Sequence, residues 1–223
     1  TAPWTLANAP GGASNTLAGV SVTTTVATLT LSEGNVNTAS GSFTVALAGN
    51  AGGIRDLAGN EATFAASPVA DEAAPIAVDV QAVDGPGTTG RIDSGDVVTY
   101  TFSEPMSATS IKAGWTGVAT TVNVALTQAA SNDTVQVSSA GWNLGTIVTG
   151  GNYVDSTRTV SASVALSGST VTLTFTSTAP SGQLNVVATS TMVWTPSTSA
   201  ADPAGNAMLG NARTQSGAPK QNF

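Results

Sequence analysis

The chain has 223 residues, an ordinary 41% share of hydrophobic residues, only 9% charged residues and a formal net charge of −7. Six basic residues are too few to form the Lys/Arg clusters that bind nucleic acid or anionic membrane surfaces, so both kinds of partner are disfavoured. The absence of Cys excludes disulfides and thiolate metal sites, and the absence of His removes the commonest general base. Low charge together with ordinary hydrophobicity predicts a folded chain rather than a disordered one.

Apolar and polar residues alternate along most of the chain, and each alternating run is bounded by Gly, Pro, Asn, Asp or Ser. The predicted strands are residues 20–31, with Val26 offset as by a bulge, then 42–47, 76–80, 97–102, 118–126, 135–137, 160–166, 171–175 and 184–187. Residues 104–111 are the one candidate for a short helical turn. Many short strands without helices predict an all-β protein made of antiparallel sandwiches or a barrel.

A pentapeptide occurs twice, as Asp-Leu-Ala-Gly-Asn at 56–60 and as Asp-Pro-Ala-Gly-Asn at 202–206. A hairpin rich in Val, Thr and Leu precedes each copy, at 22–31 and at 163–175. Because the hairpins and the pentapeptides are similarly spaced, they predict two copies of one module.

The Pro- and Ala-rich stretch 65–75 predicts a short, stiff linker between the two copies. The expected division is a partial module at 1–70, a full module with an enlarged middle section at 71–212, and a tail or the start of a further linker at 213–223. The first module has no counterpart of the strands at 76–80 and 97–102, so it should expose an apolar face that something else covers. If Thr1 begins the mature chain, those strands come from another chain; if the chain is a slice of a longer array, the preceding residues supply them.

The repeated pentapeptide is most simply a turn, in which Asp bonds the backbone two residues on and Gly adopts a positive φ. The residues assigned to the two turns are Asp56, Gly59, Asn60, Asp202, Gly205 and Asn206. The alternative is that the two aspartates bind a metal.

A Gly-rich stretch at 84–96, the acidic loop, carries three carboxylates and follows an acidic linker. Ca²⁺ takes about six to eight oxygen ligands, which carboxylates and carbonyls of such a loop provide. The candidate ligands are Asp71, Asp84, Asp93 and Asp96. The spacing is not that of an EF-hand, and the alternative is a solvated hairpin loop. Ca²⁺ is the one cofactor that the sequence suggests, and it would stiffen the hinge between modules.

The segments 71–75 and 95–106, followed by the closing Asp-x-Ala-Gly-Asn, resemble the bacterial immunoglobulin-like repeat domains of S-layer proteins and large surface adhesins. Residues 4–8, 42–47 and 53–60 are similar to the back half of such a repeat. The resemblance implies tandem immunoglobulin-like antiparallel β-sandwiches, secreted or on a bacterial cell surface. It also implies a role as spacers, lattice units or stalks, sometimes rigidified by Ca²⁺ between modules.

The sequence gives little support for an enzyme, because it has no Ser-x-x-Lys or Gly-x-Ser-x-Gly motif and no His or Cys to activate a nucleophile. The four tryptophans each border a β run, as core residues do, although exposed ones could stack on sugars. We therefore expect a structural or assembly module of a surface layer, stalk or filament, whose neighbouring copies or modules pair by β-strand addition. The alternative is an adhesin or carbohydrate-binding module that recognises a glycan through loops of the second module, within 114–159. No apolar run is long enough for membrane insertion.

Overall fold

The fold is all-β, with strands that pair antiparallel throughout, as predicted. The computed structural model describes residues 4–9, 17–31, 41–50, 52–178 and 184–223. Within these ranges there are fourteen strands and one helix of four residues. No helix in the described part is long and apolar enough to cross a membrane. The chain divides into two compact units, unit 1 at Thr1–Ala73 and unit 2 at Ala74–Phe223.

Unit 1 contains a three-stranded sheet and a separate two-stranded hairpin. Its strands are β1 (Trp4–Ala7), β2 (Leu17–Thr23), β3 (Val26–Leu31), β4 (Thr44–Leu47) and β5 (Phe64–Pro68). The sheet has the order β1-β4-β5, and β2 pairs with β3. The offset at Val26, predicted as a bulge in one run, is instead the far side of a tight turn in which Thr24 has a φ of 52°.

Strand β5 overlaps the first four residues of the stretch predicted as a linker, which is therefore partly strand. All five of its residues are exposed, and the sequence Phe-Ala-Ala-Ser-Pro has no apolar alternation. The strand is defined by its pairing with β4, in which Leu47 faces Phe64 and Val45 faces Ser67. A pattern-based prediction misses such an edge strand because neighbouring backbone, rather than burial, holds it in place.

Unit 2 is built on one nine-stranded antiparallel sheet. Its elements are β6 (Ala77–Val83), β7 (Val97–Phe102), α1 (Ala108–Ile111), β8 (Thr120–Thr127), β9 (Thr134–Val137), β10 (Thr146–Val148), β11 (Arg158–Ser167), β12 (Thr170–Phe175), β13 (Val193–Thr195) and β14 (Arg213–Thr214). The sheet has the order β14-β13-β10-β9-β8-β11-β12-β7-β6. Strand β6 also contacts β13 and β14, so the sheet nearly closes on itself.

Aromatic side chains fill the centre of unit 2. Trp194 on β13 is completely buried, and its ring lies 5.1 Å from the ring centroids of both Tyr100 and Phe102 in edge-to-face geometry. Its indole N–H donates to the carbonyl of Leu144 at 2.8 Å. A buried tryptophan whose one polar atom is bonded contributes its full apolar area to the core.

The predicted strand at 184–187 is wrong. Only Leu184 pairs, as an isolated bridge with Val154, and Val186 is 61% exposed. The backbone N–H of Val187 donates to Gly90 instead of to a neighbouring strand. The apolar residues of this run therefore have different environments and do not share one face of a strand, so their alternation does not indicate a strand.

Residues 213–223, which the sequence assigned to a tail or the start of a further linker, lie in unit 2. The first two form β14, and Phe223 is fully buried with its ring 5.2 Å from that of Tyr153 and 6.3 Å from that of Phe175. The boundary between the units falls after Ala73, three residues beyond the predicted end of the first module.

The last five strands of unit 2 repeat the arrangement of the five strands of unit 1. In unit 2, β10-β13-β14 are neighbours and β11 pairs with β12, just as β1-β4-β5 are neighbours and β2 pairs with β3 in unit 1. Unit 2 adds β6 and β7 beside β12, and β8 and β9 between β10 and β11. The described residues of unit 1 form no counterpart of these four strands.

Candidate functional site

The repeated pentapeptide forms the same closed turn in both units. In unit 2, Asp202 Oδ1 accepts hydrogen bonds from the backbone N–H groups of Gly205 and Asn206 at 2.6 and 2.8 Å. The Asn206 side-chain amide donates to Asp202 Oδ2 at 2.8 Å, and Gly205 has a φ of 98°. A left-handed φ is open to Gly without strain, which explains its place in the turn.

In unit 1, Asp56 Oδ1 accepts from the backbone N–H groups of Ala58 and Asn60, both at 2.9 Å. The Asn60 amide donates to Asp56 Oδ2 at 2.7 Å, and Gly59 has a φ of 87°. These hydrogen bonds lower the pKa of Asp56, and the bond from the Asn60 side chain has the largest effect. Asp56 is exposed, whereas Asp202 is 2% exposed. The two aspartates therefore hold one turn in two different solvent environments.

Asp96 anchors the acidic loop from inside. Its side chain is fully buried. Its Oδ1 accepts a hydrogen bond from the Gly85 N–H and its Oδ2 accepts one from the Asp93 N–H, both at 2.8 Å. Burial raises the pKa of Asp96 to about 6. The nearby charges of Asp93 and Asp84 also raise this pKa, whereas the two hydrogen bonds lower it. The loop therefore holds a carboxyl group that changes charge close to neutral pH.

The other two carboxylates of the acidic loop each have one buried oxygen without a hydrogen bond in the described structure. Asp93 is 3% exposed; its Oδ2 accepts from the Thr88 N–H at 3.0 Å and lies 3.3 Å from Arg91 Nη2. Asp93 Oδ1 and Asp84 Oδ1 are buried and have no hydrogen-bond partner in the described structure. In the described structure, the three loop carboxylates do not offer oxygens that all lie within 4.8 Å of one another.

Asp71, the fourth candidate calcium ligand, belongs to unit 1, where its Oδ1 accepts from the Ala73 N–H at 3.2 Å. Calcium binding by the four aspartates stays a prediction. The structure instead brings together Glu104 and Asp202, which the sequence did not pair. Both are almost completely buried, and their carboxylate oxygens lie within 4.8 Å of each other.

Two tryptophans form one wall of a surface pocket of about 420 Å³ in unit 2. The rings of Trp115 and Trp142 lie 4.8 Å apart with an interplanar angle of 58°. Trp115 is buried, and its N–H donates to the Val118 carbonyl at 2.8 Å and lies 3.1 Å from Thr120 Oγ1. Trp142 is half-buried, and Lys112 also lines the pocket. We call this site the tryptophan pocket.

The comparisons with known proteins give no neighbour for this chain. No protein-family model matches it, no curated protein matches it, and no solved structure matches it.

Proposed function

We propose that this protein is a non-catalytic structural module of a bacterial cell-surface layer, stalk or extracellular filament, joined to its neighbours by inter-subunit β-strand complementation. In this proposal the units are tandem immunoglobulin-like sandwiches, the first incomplete, and the chain is secreted. The observation that carries it is that the described residues of unit 1 repeat five strands of unit 2 without counterparts of β6, β7, β8 and β9.

The hairpins of the two units can be aligned at their turns, since Thr23 faces Val26 in β2–β3 and Ser167 faces Thr170 in β11–β12. This alignment matches Val-Ala-Thr-Leu-Thr-Leu in β3 with Thr-Val-Thr-Leu-Thr-Phe in β12. Leu29 then corresponds to Leu173. Leu173 is fully buried, whereas Leu29 is only half-buried.

The partner strand in unit 2 produces this difference in burial. Strand β12 pairs on its far side with β7, with Leu173 opposite Val98. Strand β3 has no such neighbour in the described part of unit 1. On the adjacent strand, Val164 is fully buried, while its counterpart Val20 is 40% exposed. An open edge beside exposed apolar side chains favours pairing with another strand.

A groove of about 400 Å³ in unit 1 supports the same interpretation. It lies between Trp4 on β1, Val20 and Val22 on β2, and Ile54. Val22 is 54% exposed. Strand addition would satisfy the backbone at the edge of β3 and bury these side chains. Because donor and acceptor surfaces differ, the contact is head-to-tail and propagates rather than closes.

The test is the association state of the purified chain, measured by size-exclusion chromatography with light scattering and by negative-stain microscopy. We expect concentration-dependent oligomers or filaments. Val20→Lys should abolish them, because the buried ammonium would be unpaired. Ser21→Lys, on the opposite face of the same strand, is the matched control and should associate as the wild type does. A monomeric wild-type chain with unit 1 folded would reject strand complementation.

A further inference from the structure

The tryptophan pocket carries a positive charge, although the chain as a whole is acidic. Its lining contains one basic residue, Lys112, and no carboxylate, although the chain has 13 Asp and Glu. The Lys112 ammonium makes no ion pair or hydrogen bond with the described residues. Its Nζ lies over Gly141, where a Cβ would come within 3.2 Å of it. An uncompensated cation is therefore held at the edge of the pocket.

The remaining polar groups of the pocket are also able to donate. The Trp142 indole N–H makes no hydrogen bond in the described structure. The hydroxyl of Ser139 accepts from the Asn123 N–H at 2.8 Å, so its own hydrogen is free to donate to a ligand. Thr121 contributes a further exposed hydroxyl. Donors without carboxylate acceptors suit a ligand that carries negative charge and oxygen acceptors.

The pocket is held in shape by contacts within unit 2. The backbone N–H of Asn143 donates to the Ile111 carbonyl at 2.8 Å, which ties the loop after β9 to α1. The Trp115 N–H bonds fix one ring, against which Trp142 rests. Val118, 66% exposed, gives the rim an apolar surface. A fixed aromatic face beside hydroxyls and one cation matches a sugar ring, whose C–H face is apolar and whose edge is polar.

We propose that the tryptophan pocket binds an acidic pyranose, such as a hexuronic acid unit of an oligosaccharide. The C–H face of the sugar packs on Trp142, and its carboxylate pairs with Lys112. Phosphate groups are usually held by several converging N–H donors or by Arg, and here there is a single ammonium. The proposal goes beyond the structural role above, since a scaffold functions with or without this site.

The experiment is a titration of the full chain with trigalacturonic acid and, as a matched neutral ligand, its methyl ester, followed by tryptophan fluorescence. We expect the acid to quench the fluorescence and to bind at least tenfold more tightly than the ester, about 1.4 kcal/mol. K112Q should weaken binding of the acid at least tenfold, because a charge-assisted hydrogen bond is lost. K112R should retain it, since the positive charge remains.

Lys220 provides the control, because its Nζ donates to Gln81 at 2.8 Å and it does not line the pocket. K220Q should therefore bind the acid like the wild type. The proposal is overturned if the acid causes no quenching at millimolar concentration, if the ester binds equally well, or if K112Q binds like the wild type. Substitutions at Lys112 leave the edge of β3 intact, so they do not affect the association test of the proposed function.

Discussion

Replacing the buried carboxyl of Asp96 should change how the stability of unit 2 depends on pH. Its pKa in the folded protein is raised to about 6, from an ordinary value of 3.8. Between these two values the folded state binds the proton more tightly than the unfolded state, so acidification stabilises the fold. The contribution is complete below about pH 4 and is lost as the pH rises through about 6.

The size of this effect follows from the shift in pKa. A difference of roughly two units corresponds to about 3 kcal/mol at pH values above both pKa values. From pH 5 to pH 7 the linkage relation gives a loss of about 1.3 kcal/mol in the free energy of unfolding from this group alone. Asp96→Asn removes the titrating group and therefore its contribution to the slope of unfolding free energy against pH. The altered hydrogen bonds of the amide change the unfolding free energy by the same amount at every pH, so they do not affect this slope.

The assay is urea unfolding at pH 5, 6 and 7, comparing wild type with Asp96→Asn. The difference between their unfolding free energies should change by about 1.3 kcal/mol across this range, with the wild type losing more stability towards pH 7. Asn132→Ser, a change at an exposed amide of the same unit, should keep the wild-type profile. Parallel profiles for wild type and Asp96→Asn would refute the reasoning.

Four further outcomes can be measured by thermal or urea unfolding. Asp202→Ala should cost about 2–3 kcal/mol, because three partly buried donors lose an acceptor that is itself buried, whereas Asp56→Ala should cost less, because water replaces the bonds of this exposed turn; equal losses would contradict this. Trp194→Ala should cost about 3–5 kcal/mol through loss of the central core contacts, and a change below 1 kcal/mol would show that the ring is not central. Gly145→Ala should cost about 1–3 kcal/mol, because Gly145 has a φ of 81° and a Cβ would clash with the Thr195 carbonyl, and a neutral effect would refute that geometry. If Ca²⁺ binds the acidic loop, a chelator should lower the melting temperature, and an unchanged melt would end the calcium prediction.

The sequence predicts long strands with one buried face much better than short ones. Strands β11 and β12 alternate in burial along their length, as the pattern at 160–166 and 171–175 indicates. Strands β10, β13 and β14 have only three, three and two residues, which is too short for a period to be visible. Their position is determined by pairing, for example of Ile147 with Trp194. Such tertiary constraints cannot be read from local alternation.

The candidate sites were predictable to a smaller extent. The pentapeptide turns could be found because Asp, Gly and Asn act within five neighbouring residues. Glu104 and Asp202 are far apart along the chain, and no local pattern links them. Trp115 and Trp142 were interpreted as core residues, and Trp115 is indeed buried. The partial burial of the Trp142 ring depends on how two loops pack together. The alternation of apolar and polar residues carries no information about that packing.

The order of strands in unit 2 has a consequence for how quickly it folds. Val98 on β7 pairs with Leu173 on β12, which follows about 75 residues later along the chain. Until β12 is available, β7 has only the neighbouring β6 with which to pair, and closing such a long loop is entropically slow. The β11–β12 hairpin forms locally and provides the template. During synthesis at about 5–20 residues per second, the early strands therefore wait several seconds for their partner, a period in which their apolar faces stay uncovered.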